Sequence, residues 1–224
     1  MLLIPAFHRV GIGKYATELT KLRQTLLDLK NYPCLFPGEK LQRGCNICLT
    51  FDDATCDFYH FVFPLLKDLQ MRALLAVPTA YILETTQTPW EKRLNFFDPF
   101  ASKEHFCTWK EIDEMVESGH VQLASHTHTH PNLTELAPEK MKEELAESAK
   151  ILNHPATLIY PYGKMNLAVQ HQAKKQYRYC MRLGSAVNFS WSPLLYRIPM
   201  DGGGKLRPSA AQILKFFSNR LRIR

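Results

Sequence analysis

Short apolar runs alternating with helical periodicities restrict the fold of this chain more than any other feature of it. Residues 2–7, 47–51, 73–77, 121–125 and 157–160 read as strands, several of them apolar at successive rather than alternate positions. Such strands are buried on both faces, the condition of a parallel sheet covered by helices. Between them, Leu19, Leu22, Leu26 and Leu29 repeat at three and four and give one apolar face. Phe58, Phe61, Val62, Leu65, Leu66 and Leu69 do the same, with Pro64 expected in an early turn or at a kink. Thr108-Trp109-Lys110-Glu111 is a capping-box start with Gly119 as its stop. A further helix opens near Pro138 and turns Met141, Leu145 and Leu152 inward, and Asn166 and Ser209 are candidate caps for two more. Strand–helix alternation implies right-handed crossovers, hence a doubly wound sheet or a barrel.

The 224 residues suffice for one sizeable core, and no break in composition argues for two domains, so 1–224 is expected to fold as one. The formal charge of +7 is uneven. No acidic residue follows Asp201, whereas Lys205, Arg207, Lys215, Arg220, Arg222 and Arg224 do, on an expected helix at about 208–224. Such an end suits peripheral contact with an anionic membrane or a lipid-linked substrate, or is simply a solvated basic helix end. No nucleic-acid-binding motif accompanies it. The first nine residues lack a basic leader, and no apolar run approaches the roughly twenty residues of a membrane span, so a cytoplasmic location is expected. Of the six cysteines only Cys45 and Cys48 have metal or redox spacing, and Cys48 lies in an apolar run, which favours a buried free thiol.

The chemistry lies in segments that end the strands. Asp52-Asp53 follows the second strand, His126-Thr127-His128-Thr129-His130-Pro131 the fourth, Tyr160-Pro161-Tyr162-Gly163 the fifth, and His8 the first. Parallel βα architectures collect active sites at the carboxyl ends of strands, so these groups are expected on one rim. Imidazole and carboxylate together bind a divalent cation, and a catalytic site leaves one position open for water. Helical spacing would pair His126 with His130, whereas an extended segment would align all three histidines; the spacing alone allows two ligands or three. The competing readings are a solvated histidine-rich loop and an aspartate that merely caps the next helix. The segment 84–105 shows neither period and is a candidate substrate wall.

Thr50-Phe51-Asp52-Asp53, His126 to Leu133 and Tyr160-Pro161-Tyr162-Gly163 resemble the first three motifs of the polysaccharide deacetylases. These metal-dependent enzymes carry the NodB homology domain and remove acetyl groups from N-acetylated sugars. The likeness runs from about residue 2 to 201; the first two motifs together are specific, the third weak alone. It implies an α/β fold, a distorted (β/α) barrel with about seven parallel strands. By motif position Asp52 resembles the catalytic base, Asp53, His126 and His130 the metal ligands, and the backbone N–H of Tyr162 the oxyanion donor, with His128 structural. Phe7-His8-Arg9-Val10 resembles the N-terminal histidine motif of the poly-N-acetylglucosamine deacetylase branch, which implies His8 as the general acid. The implied cofactor is Zn²⁺, with Co²⁺, Ni²⁺ and Fe²⁺ suiting the same ligands. Ile159 stands where many members have a base-steering arginine; Arg197 is the candidate replacement and a candidate substrate contact. Ala54 stands where many have glycine, and no histidine follows His171. Trp90, Phe96, Phe97, Trp109 and Tyr162 are candidate faces for sugar rings, Tyr162 and Trp109 foremost. The expected reaction is removal of an N-acetyl group from an amino sugar or its oligomer or polymer. Hydrolysis of a non-carbohydrate amide, formamide or cyclic imide, and deacylation of a lipid-linked amino sugar, are the alternatives; a silent sugar-binding module is the non-enzymatic one.

Overall fold

A computed structural model describes residues 1–13, 15–94, 98–203 and 205–221. Seven parallel strands close into a barrel: β1 (Pro5–Phe7), β2 (Leu49–Phe51), β3 (Ala73–Val77), β4 (Val121–Ser125), β5 (Thr157–Ile159), β6 (Tyr179–Leu183) and β7 (Leu194–Pro199). They follow chain order around the ring, and β7 returns to pair with β1. Of the two architectures the strand–helix alternation allowed, the barrel is formed, and it is uneven. β3 and β4 pair from Ala73–Val121 to Val77–Ser125, whereas β4 and β5 meet only at Ser125 and Leu158.

The first two expected strands each break once. Leu2–Leu3 pairs with Asn46–Ile47, and the barrel ladder resumes at Pro5 and Leu49. Pro5 has no N–H to give to a ladder, and the Thr50 hydroxyl donates to the Pro5 carbonyl there. Strands β6 and β7 escape the apolar-run criterion because Arg182 and Arg197 interrupt them.

Helices α1 (Leu19–Leu29), α2 (Phe63–Asp68), α3 (Trp109–Glu117), α4 (Pro138–Ile151), α5 (Leu167–Ala173) and α6 (Ala210–Leu221) cover the barrel. Leu22, Leu26 and Leu29 are buried as their spacing requires, while Leu19, the first helical residue, points outward. A π-turn at Phe58–Val62 precedes α2, so the carbonyl that Pro64 would clash with belongs to a wider turn. Thr108 and Glu111 form the capping box, and Gly119 (φ 75°) ends α3 in the left-handed conformation. The Asn166 side chain accepts from Val169 N–H at 2.9 Å, and Ser209 Oγ from Gln212 N–H at 3.3 Å. Phe96, Phe97, Arg222 and Arg224 lie outside the described residues.

Strand alternation divides the core. Ile4, Cys48, Leu74, Ala76, Ala124 and Leu195 fill the lumen, while Ala73, Leu75 and Val77 face the helices with Phe58, Phe63 and Ile112. All six cysteines are free thiols, and burial pushes those of Cys48 and Cys107 well up. Among the described residues no helix is long and apolar enough to cross a membrane.

Candidate metal centre and catalytic site

Counting in twos from the lumen residues Ile4, Cys48, Ala124 and Leu195 leads up the strands to His8, Asp52, His126 and Arg197. The alternation that fills the core therefore aims four polar groups into one cavity at the carboxyl ends. Asp53, one step further, would normally face away. Left-handed backbone at Asp53 (φ 71°) and Ala54 (φ 52°) turns it back toward the same cavity. Alanine occupies that conformation here although glycine would enter it without strain.

A second strained loop brings in the histidines. Thr127 (φ 67°) is β-branched and His130 (φ 58°) bulky, both unusual in left-handed backbone. Thr127 N–H donates to Ser125 Oγ at 3.2 Å, and His130 N–H to Thr127 Oγ1 at 3.1 Å. Glu144 of α4 clasps the loop from outside: one carboxylate oxygen accepts from the N–H groups of His128 and Thr129 at 2.9 and 2.8 Å. The other accepts from the Thr129 hydroxyl at 2.6 Å.

Two histidines, not three, reach Asp53. The His126 and His130 Nε2 atoms are 3.2 Å apart and each lies 3.5 Å from Asp53 Oδ1, while His128 turns to Thr79 Oγ1 at 2.9 Å. His126 Nδ1 sits 2.7 Å from the Ile159 carbonyl, which accepts from it and so leaves Nε2 as the free lone pair. Asp53 Oδ1 is buried with no hydrogen-bond partner. An orphaned carboxylate oxygen and two imidazole lone pairs converging on one point suit a divalent cation, and these donors all lie within 4.8 Å of one another. Burial opposes ionisation of Asp53, yet the His126 and His130 imidazoles hold its carboxyl below the usual range. Burial, reinforced by His126, lowers the pKa of His130 to about 4, so this imidazole is neutral and can offer a lone pair to a metal at neutral pH.

Asp52 has a different partner. Arg197 grips it with both ends, Nη1 to Oδ1 at 2.6 Å and Nη2 to Oδ2 at 2.8 Å, and Nη1 also donates to Thr50 Oγ1 at 3.1 Å. Burial resists ionisation of Asp52, and the Arg197 guanidinium overcomes it, keeping the carboxyl below its ordinary pKa. With 1% of its surface exposed, Arg197 is placed on Asp52 and away from open solvent. The guanidinium that meets Asp52 thus comes from β7, and Ile159 on β5 brings none.

His8 completes the cavity. Its Nε2 is 3.5 Å from Asp52 Oδ2, and its Nδ1 lies 2.9 Å from Asp201 Oδ2, whose Oδ1 accepts from the His8 backbone N–H at 3.0 Å. Burial alone would lower the pKa of His8; the Asp201 hydrogen bond and the charges of Asp52 and Asp53 outweigh it and bring the group to about 9. Asp201 escaped sequence reading because β7 did; its signal was its place as the last acidic residue, just beyond Arg197-Ile198-Pro199-Met200. Glu144 had no signal beyond helical periodicity.

The exposed Tyr162 (φ 58°) sets its ring 4.9 Å from that of His130, and Phe100, from the 84–105 segment, stacks on His130 at 4.6 Å. Trp109 is half-buried against the main core at the start of α3. Trp90 stacks on His60 at 5.1 Å.

Two expectations follow. Glu144→Ala removes the loop's outer clasp and should weaken Zn²⁺ binding by about 10- to 100-fold, read by competition with a chelator. In metal-free protein, a group whose folded pKa is raised adds stability that is complete below its unfolded value near 6.5 and lost as pH climbs through about 9. The melting temperature should accordingly decline across that window, and a His8→Gln protein should lack that part of the slope.

Residues 42–180 match a family model described as polysaccharide deacetylase. A poly-β-1,6-N-acetyl-D-glucosamine N-deacetylase of Escherichia coli O157:H7 is 29% identical over 204 residues, covering 75% of this chain. The chain spans 30% of that relative's length. Among solved structures, IcaB from Ammonifex degensii superposes with a TM-score of 0.71 at 21% identity, covering 97% of this chain and 96% of its own. The Streptococcus pyogenes deacetylase PplD in complex with acetate gives 0.71 at 22% identity, covering 89% and 94%. At those identities the two likenesses are likenesses of fold.

Proposed function

The chain belongs to the polysaccharide deacetylase family, and from that premise we propose that it hydrolyses the N-acetyl group of an N-acetylated amino sugar within an oligo- or polysaccharide. The observation that carries this reading is the junction of two acid pairs: Asp53 among imidazole donors and Asp52 beside it, held ionised by Arg197. The name of the Escherichia coli relative supports an N-acetylglucosamine polymer as the first substrate to try.

Asp53, His126 and His130 would hold a divalent cation, for which one carboxylate and two imidazoles make Zn²⁺ the first choice. When bound, the cation supplies Lewis-acid chemistry, polarising an acetyl carbonyl and acidifying water. Asp52 receives the proton of the attacking water. Its two oxygens keep lone pairs beyond those Arg197 occupies, so it can accept while remaining gripped. The backbone N–H of Tyr162 is the proposed donor to the developing oxyanion. His8 then protonates the departing amine: Asp201 fixes the proton on Nδ1 and leaves Nε2 facing the cavity as the delivering atom. Tyr162 and Phe100 supply apolar surface for the sugar and acetyl groups, and Trp109 is the weaker candidate.

The test is acetate release from N-acetylglucosamine oligomers, β-1,6- and β-1,4-linked, beside small amides and formamides. Hydrolysis of the sugars, lost on chelation and restored by Zn²⁺, is the expected result. Activity confined to the small amides, or undiminished in metal-free protein, would count against the reading.

A further inference from the structure

Past Tyr162 the rim opens into a second cavity of about 470 Å³, lined chiefly by Thr134, Tyr162, Lys164, Met165, Asn166 and Arg182. Gly163 shapes it. Its backbone is left-handed (φ 64°), and a Cβ there would lie 2.9 Å from Leu183 Cβ, so the Pro161–Gly163 turn sits directly on the end of β6. That seating brings Lys164, from the turn, and Arg182, from the strand, into one wall.

Arg182 differs from the other well-bonded arginines. Arg72 forks onto Glu39, Arg93 onto Glu111 and Arg197 onto Asp52. Arg182 instead donates Nε to the Leu183 carbonyl at 3.2 Å and rests Nη1 on the Met165 sulfur at 3.4 Å, so its plane is held by groups that do not neutralise its charge. Among the described residues no carboxylate pairs with Arg182 or Lys164. Glu135, beside Thr134, accepts from the Asn132 amide and is not part of the wall. A half-buried guanidinium with its orientation fixed and only a neutral carbonyl and a thioether against it is preorganised for an oxyanion. Tyr162 forms the partition: one side of it faces His130, the other this cavity.

We propose that this groove binds an anionic group of the substrate, a phosphodiester or a carboxylate borne by the unit next to the acetylated sugar. The proposal rests on the deacetylase reading and narrows it to N-acetylated glycans that carry negative charge. Arg182 receives the anion through its fork, Lys164 adds a second charge from the exposed edge, and Tyr162 separates the anion from the reacting amide.

The experiment compares three matched short N-acetylglucosamine glycans: unsubstituted, phosphodiester-bearing and uronate-bearing. The expected result is a kcat/KM for at least one anionic glycan on the order of tenfold above the neutral one, fading as salt is raised. Arg182→Gln, and independently the surface variant Lys164→Gln, should bring that ratio toward one. Preference for one anion identifies it; equal efficiency on all three glycans, or a ratio unmoved in both variants, overturns the groove while leaving the deacetylase standing. If no glycan is hydrolysed the deacetylase reading fails, and pairwise binding of the same glycans to the wild-type protein still reads the groove, equal affinities overturning it.

Discussion

Asp52→Asn is expected to lower kcat for glycan deacetylation by about 10²- to 10⁴-fold while leaving bound Zn²⁺ near one per chain. The two parts of that result come from separate geometry. Asp53, His126 and His130 gather without Asp52, so an amide at position 52 leaves their donor atoms in place. Only the proton acceptor is lost. The carboxyl of Asp52 is held below its ordinary pKa, so it is already ionised at working pH, and the amide that replaces it cannot take a proton there. Acetate release and metal content, measured on the same preparation, separate the two effects. Turnover near the wild-type rate would remove Asp52 from the role of base, and loss of metal would mean that the two aspartates share it.

Arg197→Met is expected to be the more damaging change to the fold. The guanidinium and the Asp52 carboxylate are both buried, exposed to 1% and 3%, and the two hydrogen bonds between them are the main compensation for taking Asp52 out of water. Breaking a buried pair from one side leaves an uncompensated charge and costs about 3–5 kcal/mol, on the order of 10 °C in melting temperature for a domain of this size. The sign with pH follows from linkage. The folded pKa of Asp52 is depressed, so the pair stabilises fully above the unfolded value near 3.9, and that stability is lost as pH falls through the folded one. In Arg197→Met the Asp52 pKa climbs, and the acid limb of the activity profile moves to higher pH with it. A double Arg197→Met/Asp52→Asn protein should recover part of the lost melting temperature, because no buried charge then stands alone. A single variant as stable as wild type would mean that the pair carries no net weight in the fold.

The barrel and the rim were legible in the chain because they rest on local rules. Five short runs, several of them apolar at successive positions, read as strands covered on both sides, and polar residues ending four of them were expected to meet at their carboxyl ends. The capping signals at Thr108, Asn166 and Ser209 are equally local, each a side chain satisfying N–H groups within three residues. Where the period broke, reading stopped. Strands β6 and β7 each carry an inward or rim arginine, and with β7 went the placement of Asp201 behind His8.

Sequence by itself determined that two aspartates and a histidine cluster each end a strand, since composition and the period of two are properties of the chain. Tertiary structure alone decided which of them meet. Whether two histidines or three meet Asp53 depends on left-handed backbone at Thr127 and His130, in a loop held by Glu144 from sixteen or fewer positions away in sequence but from another element in space. Which arginine serves Asp52 depends on the closure of β7 against β1, a contact spanning nearly the whole chain. Backbone strain and ring closure are sums over many distant contacts, and no single segment encodes them.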